Sequence, residues 1–338
     1  MKNAVIFGGT GFIGTFFANH LINNERYERV YLYDYERVDA KDSIYRKKLI
    51  EGNNKIIQII GDVRNEIDWL PNCKIDLVAN MAAIHREPGH KNFEYFETNI
   101  SGANNVCNWA EKQGCTNMIF TSSIAPYGPS EIEKNEDSIP VPETAYGSSK
   151  LVAEKIHEKW QQKDANNKLI IVRPGVVFGP GEGGNVSRLI KAVKNRYFLY
   201  MGNKDTRKAG IYIKELCLAM TWTLDYLDEC SNNYVLFNMS MNPGPSIEEY
   251  VGSILKTINK TYMFLSVPSL LLLICAHIID FFAKPFRIEH PFSPIRIKKL
   301  MRSNNIVPNF LVNNGYKFTF TLDDAMKDWK KDSPEDWL

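Results

Sequence analysis

The sequence predicts an α/β protein, with a doubly wound, parallel-sheet Rossmann fold and a smaller C-terminal α/β substrate-binding lobe. Three observations carry this prediction. Apolar runs of strand length alternate with helical patterns through the first half of the chain, a pattern typical of parallel sheets. A glycine-rich turn joins the first strand to the first helix. An acidic residue ends the next strand, about twenty residues further on.

The first predicted strand is the apolar run that begins at Ala4, and helical spacing starts at Phe12. Between them, Gly8 permits a tight turn and Gly11 lets the backbone approach a pyrophosphate. Gly14 lets the helix pack close to the strand. The helix N-terminus offers free N–H groups to phosphates. We therefore predict a dinucleotide site, with the alternative of a turn that binds nothing, at Gly8, Thr10, Gly11, Phe12, Ile13 and Gly14.

The second predicted strand, residues 29–33, ends at Asp34. A carboxylate at this point accepts hydrogen bonds from the adenosine ribose hydroxyls and repels a 2′-phosphate. The sequence therefore favours NAD over NADP, and the alternative is a solvated loop acid. Further strands are predicted at 55–60, 76–81, 117–121, 168–173 and 234–238, with helices at about 93–113 and 146–163.

The ends of the third and fourth strands supply further candidate cofactor contacts, because ligands of such sheets bind beyond the carboxyl ends of the strands. Asp62 is predicted to accept the adenine amino group, and Val63 to cover the ring. Ala82 and Ala83 are small enough for backbone to lie beside the nicotinamide-side ribose and phosphates. The alternatives are a helix-capping Asp62 and plain tight packing of the alanines.

Glycines and prolines mark a long loop region after residue 173, at 174–175, 179–181 and 183–184. Beyond it the segments alternate less regularly. We predict a NAD-binding domain over 1–173 and a mainly substrate-binding lobe over 174–338, interleaved with it through a strand that returns to the sheet at 234–238.

Composition excludes several classes of function. The 338 residues carry a formal net charge of +2 with no basic block, so nucleic acid is not expected as a partner. Six cysteines without a CxxC motif fit reduced thiols in a cytoplasmic enzyme. The histidines form no metal-ligand motif, so no metal is expected. No signal peptide is visible, since the start of the chain runs straight into the first strand.

One apolar stretch, residues 263–282, bears on membranes. It is marginal in length for a span and contains Pro268, His277 and Asp280. The favoured prediction is a buried or surface-lying helix of the C-terminal region. Peripheral contact with a bilayer through 263–282 is the alternative.

Three polar residues form a candidate catalytic set. Tyr146 and Lys150 are four positions apart at the start of a predicted helix, so they share one face. A cation beside a phenol lowers its pKa, and we expect Lys150 to act on Tyr146 in this way. The phenol then moves a proton at a substrate oxygen. Ser123, after the fifth strand, hydrogen-bonds the same oxygen, and Lys150 also holds the nicotinamide ribose.

The sequence resembles the extended short-chain dehydrogenases/reductases of the nucleotide-sugar epimerase/dehydratase type, over nearly the whole chain. The matching motifs are residues 8–14, 61–63, 82–83, 98–102 (with Asn99), 122–128, Tyr146 with Lys150, and 173–181. The resemblance implies tightly held NAD, contacts to it from these motifs including Asn99, a Ser-Tyr-Lys catalytic set, and a homodimer built on two helices per subunit.

The residues that follow Ser123 narrow the reaction. The related 4,6-dehydratases carry an Asp-Glu pair there, decarboxylating relatives a Glu, and 3,5-epimerases a Cys, whereas this chain has Ile124 and Ala125. Hydride chemistry alone remains. The resemblance to UDP-galactose 4-epimerase implies 4-epimerisation of a UDP-hexose or UDP-N-acetylhexosamine through a transient 4-keto sugar, for surface polysaccharide synthesis.

On the substrate side the match is partial. Asn185 aligns with a residue that holds the diphosphate region in that epimerase, and Lys208 stands where an Arg usually meets the phosphates. Arg296 is a candidate second cation. Solvated surface charges are the alternative for Lys208 and Arg296. Where that epimerase has an Asn that contacts the substrate, this chain has Val176. We therefore expect a different sugar or a different carrier, and the choice between a nucleotide and a lipid diphosphate stays open.

Two other functions remain. A net NAD(P)-dependent oxidoreductase, either a 4-keto-sugar reductase or a 3-hydroxysteroid-type dehydrogenase, uses the same three residues. A NAD-sensing module without catalysis is the third reading, and the intact set of Ser123, Tyr146 and Lys150 argues against it.

Overall fold

Seven parallel strands form the centre of the computed structural model, which describes residues 2–40, 44–87, 89–230, 232–283 and 302–338. These strands are β1 (Asn3–Phe7), β2 (Arg29–Asp34), β3 (Ile56–Ile60), β4 (Leu77–Asn80), β5 (Asn117–Thr121), β7 (Lys168–Pro174) and β11 (Tyr234–Met239). Their order in the sheet is β3-β2-β1-β4-β5-β7-β11. The order reverses between β1 and β4, which makes the crevice beyond their carboxyl ends the expected ligand site.

Helices cover both faces of this sheet. The described part of the chain contains α1 (Phe12–Asn23), α2 (Ile44–Ile50), α3 (Asn92–Phe96), α4 (Gly102–Lys112), α5 (Ala145–Gln161), α6 (Asn185–Lys194), α7 (Ile213–Glu229), α8 (Ile247–Thr257), α9 (Ser269–Ala283), α10 (Asn309–Asn313) and α11 (Leu322–Asp332). A π-helical turn, Glu97–Ser101, joins α3 to α4. Short 3-10 turns lie at Val38–Ala40, Ala125–Tyr127 and Pro334–Trp337.

Alternation along β1 shows how the core divides into two layers. Ala4 and Ile6 belong to one buried cluster, and Val5 and Phe7 to the other. Successive strand side chains point to opposite faces of a sheet, so a wholly apolar strand must be covered on both sides. The first cluster includes residues of α1 and α7, and the second includes residues of α4 and α5. The predicted doubly wound α/β fold is therefore confirmed.

Within the described ranges, three small two-stranded sheets lie outside the central one. They pair β8 (Val176–Phe178) with β10 (Gly210–Tyr212), β9 (Tyr200–Met201) with β12 (Ser266–Val267), and β6 (Ser130–Lys134) with β13 (Asn304–Ile306). The returning strand predicted at 234–238 is β11, which pairs in parallel with β7.

Several predicted segments need correction. The loop region predicted after residue 173 contains β8, because the short run Val176–Phe178 pairs with β10. The single helix predicted over 93–113 is interrupted by the π-helical turn. The apolar stretch 263–282 begins with β12 and only then becomes α9. In the described ranges, no helix is long and apolar enough to cross a bilayer.

Glu215 on α7 fixes the C-terminal part of the chain. Its side chain is fully buried. One carboxylate oxygen accepts a 2.5 Å hydrogen bond from the Tyr316 hydroxyl, and the other accepts from the backbone N–H groups of Thr319 and Phe320 at 2.9 and 2.8 Å. A single side chain thus stabilises the loop that leads into α11.

We expect Glu215→Ala to lower the free energy of unfolding by about 3 kcal/mol, because it removes the acceptor of the buried Tyr316 hydroxyl and of two backbone N–H groups. Urea denaturation measures this change. Glu229→Ala, at an exposed position of the same helix, is the matched control and should change stability by less than about 0.5 kcal/mol. Equal effects of the two substitutions would contradict the role assigned to Glu215.

Candidate active site

The turn after β1 has the shape of a phosphate cradle. Gly8 adopts a φ of +74°, and a Cβ there would lie 2.6 Å from the backbone nitrogen of Ala82. A Cβ on Gly14 would lie 2.6 Å from the carbonyl oxygen of Gly8. Within the described residues, no side chain caps α1 at Gly11. The N–H groups at the start of the helix, including those of Phe12 and Ile13, are therefore available to an anion.

Space for that anion exists over the turn. Among the described atoms, a Cβ on Gly11 would meet only the Gly8 carbonyl oxygen, at 3.0 Å. A pyrophosphate could therefore approach the backbone at Gly11 closely, as the sequence predicted, without a clash with neighbouring side chains. The residues present fit the dinucleotide at this point.

Asp34 is held in place by Thr10. Its carboxylate is buried and accepts hydrogen bonds from the Thr10 backbone nitrogen, at 3.1 Å, and hydroxyl, at 2.7 Å. The same hydroxyl lies 3.0 Å from the carbonyl oxygen of Glu36. Thr10 therefore orients the acid that ends β2, and the predicted contact of Thr10 with the cofactor stays a prediction.

The remaining predicted cofactor contacts differ in whether the side chain already has a partner within the protein. The Asp62 carboxylate accepts from the Arg64 side chain at 2.5 to 3.1 Å, and this pairing lowers the pKa of Asp62. Val63 is buried, with its side chain near Gly102. A cofactor contact by Asp62 would thus be shared with Arg64. Ala82 and Ala83 are half-buried beyond β4, next to the glycine turn.

Asn99, in the π-helical turn, is hydrogen-bonded to the loop after β4 and to α5. It is buried, and its side-chain oxygen accepts from the Ile84 backbone nitrogen at 3.0 Å. Its amide nitrogen donates to the Ile84 carbonyl oxygen and to the Ser149 hydroxyl, at 3.2 and 2.8 Å. These hydrogen bonds fix the loop after β4, and the predicted contact of Asn99 with the cofactor stays a prediction.

Helix α5 carries the catalytic candidates. The Thr144 hydroxyl caps it by accepting a 3.1 Å hydrogen bond from Gly147, which starts the helix one residue before Tyr146. Lys150 is fully buried, and its Nζ donates to the Thr121 carbonyl oxygen at 2.7 Å. The Nζ also lies 4.4 Å from the centroid of the Phe120 ring. Burial lowers the pKa of Lys150 to about 7, against the opposing effect of Glu154.

The predicted lowering of the Tyr146 pKa by Lys150 is wrong for this structure. Burial raises the pKa of Tyr146 to about 12, and a hydrogen bond with Ser123 opposes the rise. The Lys150 Nζ instead donates to the Thr121 carbonyl oxygen. The three candidates are nevertheless brought together at the carboxyl end of β5, with Ser123 beside the phenol. The phenol is protonated at neutral pH.

A buried ion pair lies beneath these residues. Glu154 is fully buried and accepts from Arg173 on β7 through two hydrogen bonds of 2.8 and 2.6 Å. The Ser122 hydroxyl donates to the same carboxylate at 2.5 Å. Although burial acts against its charge, the pairing with Glu154 raises the pKa of Arg173. Tyr127 completes the group, with its ring 4.7 Å from the guanidinium.

Sequence reasoning missed four residues here. Glu154 is placed four residues after Lys150 on the same face, a spacing that could have revealed it. His85 and Glu87, on the loop after β4, carried no motif. Desolvation and the Lys150 charge lower the pKa of His85, and Glu87 contributes to the raised pKa of Tyr146. The Tyr95 ring lies 6.1 Å from that of Tyr146.

The predicted substrate contacts are less complete. Asn185 is exposed at the first position of α6, where its side chain accepts from Arg188 at 3.1 Å. The Nζ of Lys208 donates to the carbonyl oxygen of Arg302. Lys208 therefore contacts the backbone just before β13 in this structure. Arg296 lies outside the described residues.

Comparison with known proteins places the chain among sugar-modifying enzymes. The model of the NAD dependent epimerase/dehydratase family matches residues 4–236. A protein of Escherichia coli O157:H7 named N-acetyl-alpha-D-glucosaminyl-diphospho-ditrans,octacis-undecaprenol 4-epimerase is 25% identical over 327 residues, 96% of this chain and 93% of its own length. UDP-glucose 4-epimerase of Vibrio cholerae is 27% identical, over 62% of each chain.

Solved structures agree on the fold. UDP-glucuronic acid 4-epimerase from Bacillus cereus, in complex with NAD, superposes with a TM-score of 0.73 at 18% identity over 100% of both chains. The UDP-Glc/GlcNAc 4-epimerase from Campylobacter jejuni gives a TM-score of 0.73 at 18% identity, covering 98% of this chain and 99% of its own.

We expect Gly8→Ala to weaken NAD binding about tenfold, because its Cβ would collide with Ala82 and overpacking of this kind costs about 1–3 kcal/mol. Isothermal titration calorimetry measures the affinity. Gly52→Ala is the matched control. Gly52 has the same φ of +74°, but a Cβ there would meet no described atom within 4 Å. NAD affinity should be unchanged in the control, and an equal loss in both variants would refute the collision argument.

The lowered pKa of Lys150 predicts the direction in which the free energy of unfolding changes with pH. The unfolded chain keeps Lys150 protonated up to its ordinary pKa of 10.5, whereas the folded chain releases the proton near pH 7. Between these values the unfolded state binds more protons, so this residue makes stability rise with pH by up to about 1.4 kcal/mol per unit. Urea denaturation of wild type and Lys150→Met should show the variant's relative advantage shrinking from pH 7 to 10. A constant difference would contradict the buried, uncharged lysine.

Proposed function

The chain belongs to the NAD dependent epimerase/dehydratase family, and from this premise we propose that it inverts C4 of a nucleotide-linked hexose through a transient 4-keto sugar. It is an NAD-dependent epimerase. The UDP-hexoses and UDP-N-acetylhexosamines are the favoured substrates. One observation carries the choice of reaction. Ser123 and Tyr146 are hydrogen-bonded to each other after β5, and the residues after Ser123, Ile124 and Ala125, supply no acid for dehydration.

The cofactor-binding residues follow from the cradle. The N–H groups at the start of α1 would hold the pyrophosphate, and Asp34 would accept the adenosine ribose hydroxyls. When bound, NAD supplies a hydride acceptor for C4 and later the donor, so the reaction has no net oxidation or reduction.

The chain's own residues manage the proton. Tyr146 takes the proton of the C4 hydroxyl and returns it after the keto sugar has turned over. Ser123 hydrogen-bonds the same oxygen. The raised pKa of Tyr146 means that a positive charge bound beside the phenol would be needed to favour phenolate at neutral pH. Lys150, buried below, would hold the nicotinamide-side ribose.

A second candidate carrier is a polyprenyl diphosphate. Its support is the near full-length match to the Escherichia coli 4-epimerase, which is named for an undecaprenol-linked N-acetylglucosamine. The Vibrio cholerae UDP-glucose enzyme matches over only 62% of its length. Either carrier presents a diphosphate, for which Asn185, Lys208 and Arg296 remain the proposed contacts. Production of a building block for surface polysaccharide is the proposed role of either product.

We also propose a cytoplasmic homodimer with its NAD-binding domain over 1–173 and its substrate lobe mainly over 174–338. Support for the dimer comes from exposed apolar side chains on neighbouring helices, since Phe93, Phe96 and Val152 are 59%, 39% and 43% exposed. Cys73, Cys107, Cys115, Cys217 and Cys230 are free thiols, which agrees with a reducing compartment.

The reaction is tested by NMR on UDP-glucose, UDP-N-acetylglucosamine, UDP-glucuronic acid and a short polyprenyl-diphosphate N-acetylglucosamine. An epimerase should convert at least one of them without added NAD and without a net absorbance change near 340 nm. Conversion that requires stoichiometric NAD(P) and changes that absorbance would identify an oxidoreductase instead.

We expect Tyr146→Phe to retain NAD but to lower turnover by about two to four orders of magnitude, the usual contribution of a positioned proton donor. The matched control, Tyr197→Phe, changes a phenol that is 60% exposed and should leave turnover within about twofold of wild type. Substrate conversion by NMR and bound NAD by mass spectrometry are the measurements. Normal turnover of Tyr146→Phe would remove Tyr146 from the mechanism.

A further inference from the structure

Helix α9 presents an apolar face to solvent. Leu270, Leu271, Ile274 and Ile278 are 70%, 51%, 48% and 52% exposed. At 100° per residue these four side chains fall within an arc of about 100°, which we call the α9 face. The exposed side chain of His277 borders it. Ala276, on the opposite side of the helix, is buried. The helix therefore presents a row of large apolar residues to solvent, and Ile279, elsewhere on its circumference, is also 40% exposed.

More exposed apolar side chains precede the helix. Met263 and Leu265 are 99% and 75% exposed. The Leu265 carbonyl oxygen accepts a 2.9 Å hydrogen bond from the backbone nitrogen of Tyr200, so the pairing of β9 with β12 brings Leu199, itself 42% exposed, close to Leu265. Side chains from two separate parts of the chain thus extend the apolar surface. Single exposed apolar residues need no functional explanation, whereas a continuous patch does.

Positive charge accompanies this surface. Lys191, Lys194 and Arg196 lie at the end of α6, immediately before β9. The Arg196 guanidinium is 4.2 Å from the centroid of the Tyr262 ring, next to Met263 in the chain. In sequence, the segment 284–302 that follows α9 has six basic residues (Lys284, Arg287, Arg296, Lys298, Lys299, Arg302) against one acidic residue, Glu289. Exposed apolar residues close to Arg196, in a chain whose next segment is rich in lysine and arginine by sequence, match an anionic lipid surface.

We infer that the α9 face, with Leu199, Met263 and Leu265, docks this protein on the surface of an anionic phospholipid bilayer. The helix lies in the interface and does not cross it: its 15 residues extend about 22 Å, less than the roughly 30 Å of a hydrocarbon core. Asp280, near its end, also favours the interface over the interior.

Attachment of this kind gives the enzyme access to lipid-linked substrates. β9 ends at Met201, seven residues before Lys208, so the docking surface and a proposed diphosphate contact share one part of the lobe. A polyprenyl-diphosphate sugar carries its diphosphate at the level of the lipid headgroups. The use of this surface for substrate rests on the proposed function, whereas the binding to lipid does not.

The experiment is co-sedimentation of the full-length protein with vesicles of phosphatidylglycerol and phosphatidylcholine, and with phosphatidylcholine alone. We expect binding to the anionic vesicles, with an apparent partition constant that falls at least about tenfold in Leu270→Asp/Ile274→Asp, since two apolar side chains are lost from the interface. The matched control, Ile132→Asp/Ile139→Asp, changes two isoleucines that are 79% and 78% exposed elsewhere and should keep wild-type binding.

Two further measurements keep the inference testable if a double variant misfolds. Raising the salt concentration to about 0.5 M should weaken binding of the wild type, because it screens the lysines and arginines. Conversion of a water-soluble UDP-sugar, measured on the same samples, should be equal in wild type and Leu270→Asp/Ile274→Asp.

The outcomes separate the two proposals. Wild-type protein that converts sugars but stays in the supernatant with anionic vesicles overturns the bilayer inference and leaves the function standing. Vesicle binding without conversion of any sugar supports the bilayer inference and counts against the function. A wild-type dimer that becomes monomeric in Leu270→Asp/Ile274→Asp, with no vesicle binding, assigns the face to a second copy of the chain and overturns the inference.

Discussion

The buried ion pair between Glu154 and Arg173 is the constraint on which the site depends. It joins α5 to β7, and the Ser122 hydroxyl links the same carboxylate to the end of β5. Burying two charges is costly, and such a pair is rarely a net source of stability. Its value lies in position, because it fixes the helix that carries Tyr146 and Lys150 against the strand end that carries Ser123. Loss of either partner would leave an uncompensated charge in the core.

A second constraint acts through the backbone at the opposite wall of the crevice. The turn at Gly8 approaches Ala82 so closely that no side chain fits between them. The loop after β4 is in turn fixed by Asn99, which bonds the backbone of Ile84. The glycine turn is therefore shaped by the absence of side chains, and the loop after β4 is shaped by the hydrogen bonds of a polar side chain. Together they leave a space whose donors are backbone N–H groups, which suits phosphate better than any apolar ligand.

Much of the fold was predictable because its signals are local. Strand runs, the glycine turn and Asp34 each follow from a few neighbouring residues, and their positions agree with the structure to within one or two residues. The juxtaposition of Ser123, Tyr146 and Lys150 was predictable from the sequence, and their electrostatics was less so. Burial raises the pKa of Tyr146, the charge of Glu87 on a loop distant in sequence adds to the rise, and the Lys150 Nζ donates to the Thr121 carbonyl oxygen. Helical spacing predicts that Tyr146 and Lys150 share one face of α5, but it does not predict the direction in which the Lys150 Nζ points. The roles of Asn99 and Thr10 likewise depend on partners far away in sequence.

The uncharged fraction of Lys150 near pH 7 has a thermodynamic consequence for ligand recognition. Any anion that settles within reach of this amine will favour its protonated form and draw a hydrogen ion from the buffer. Complex formation is then coupled to proton uptake although the ligand itself does not titrate. The heat released on mixing will vary with the ionisation enthalpy of the buffer, and affinity will strengthen as the medium becomes more acidic across neutrality. A single desolvated amine thus makes this crevice responsive to the acidity around it.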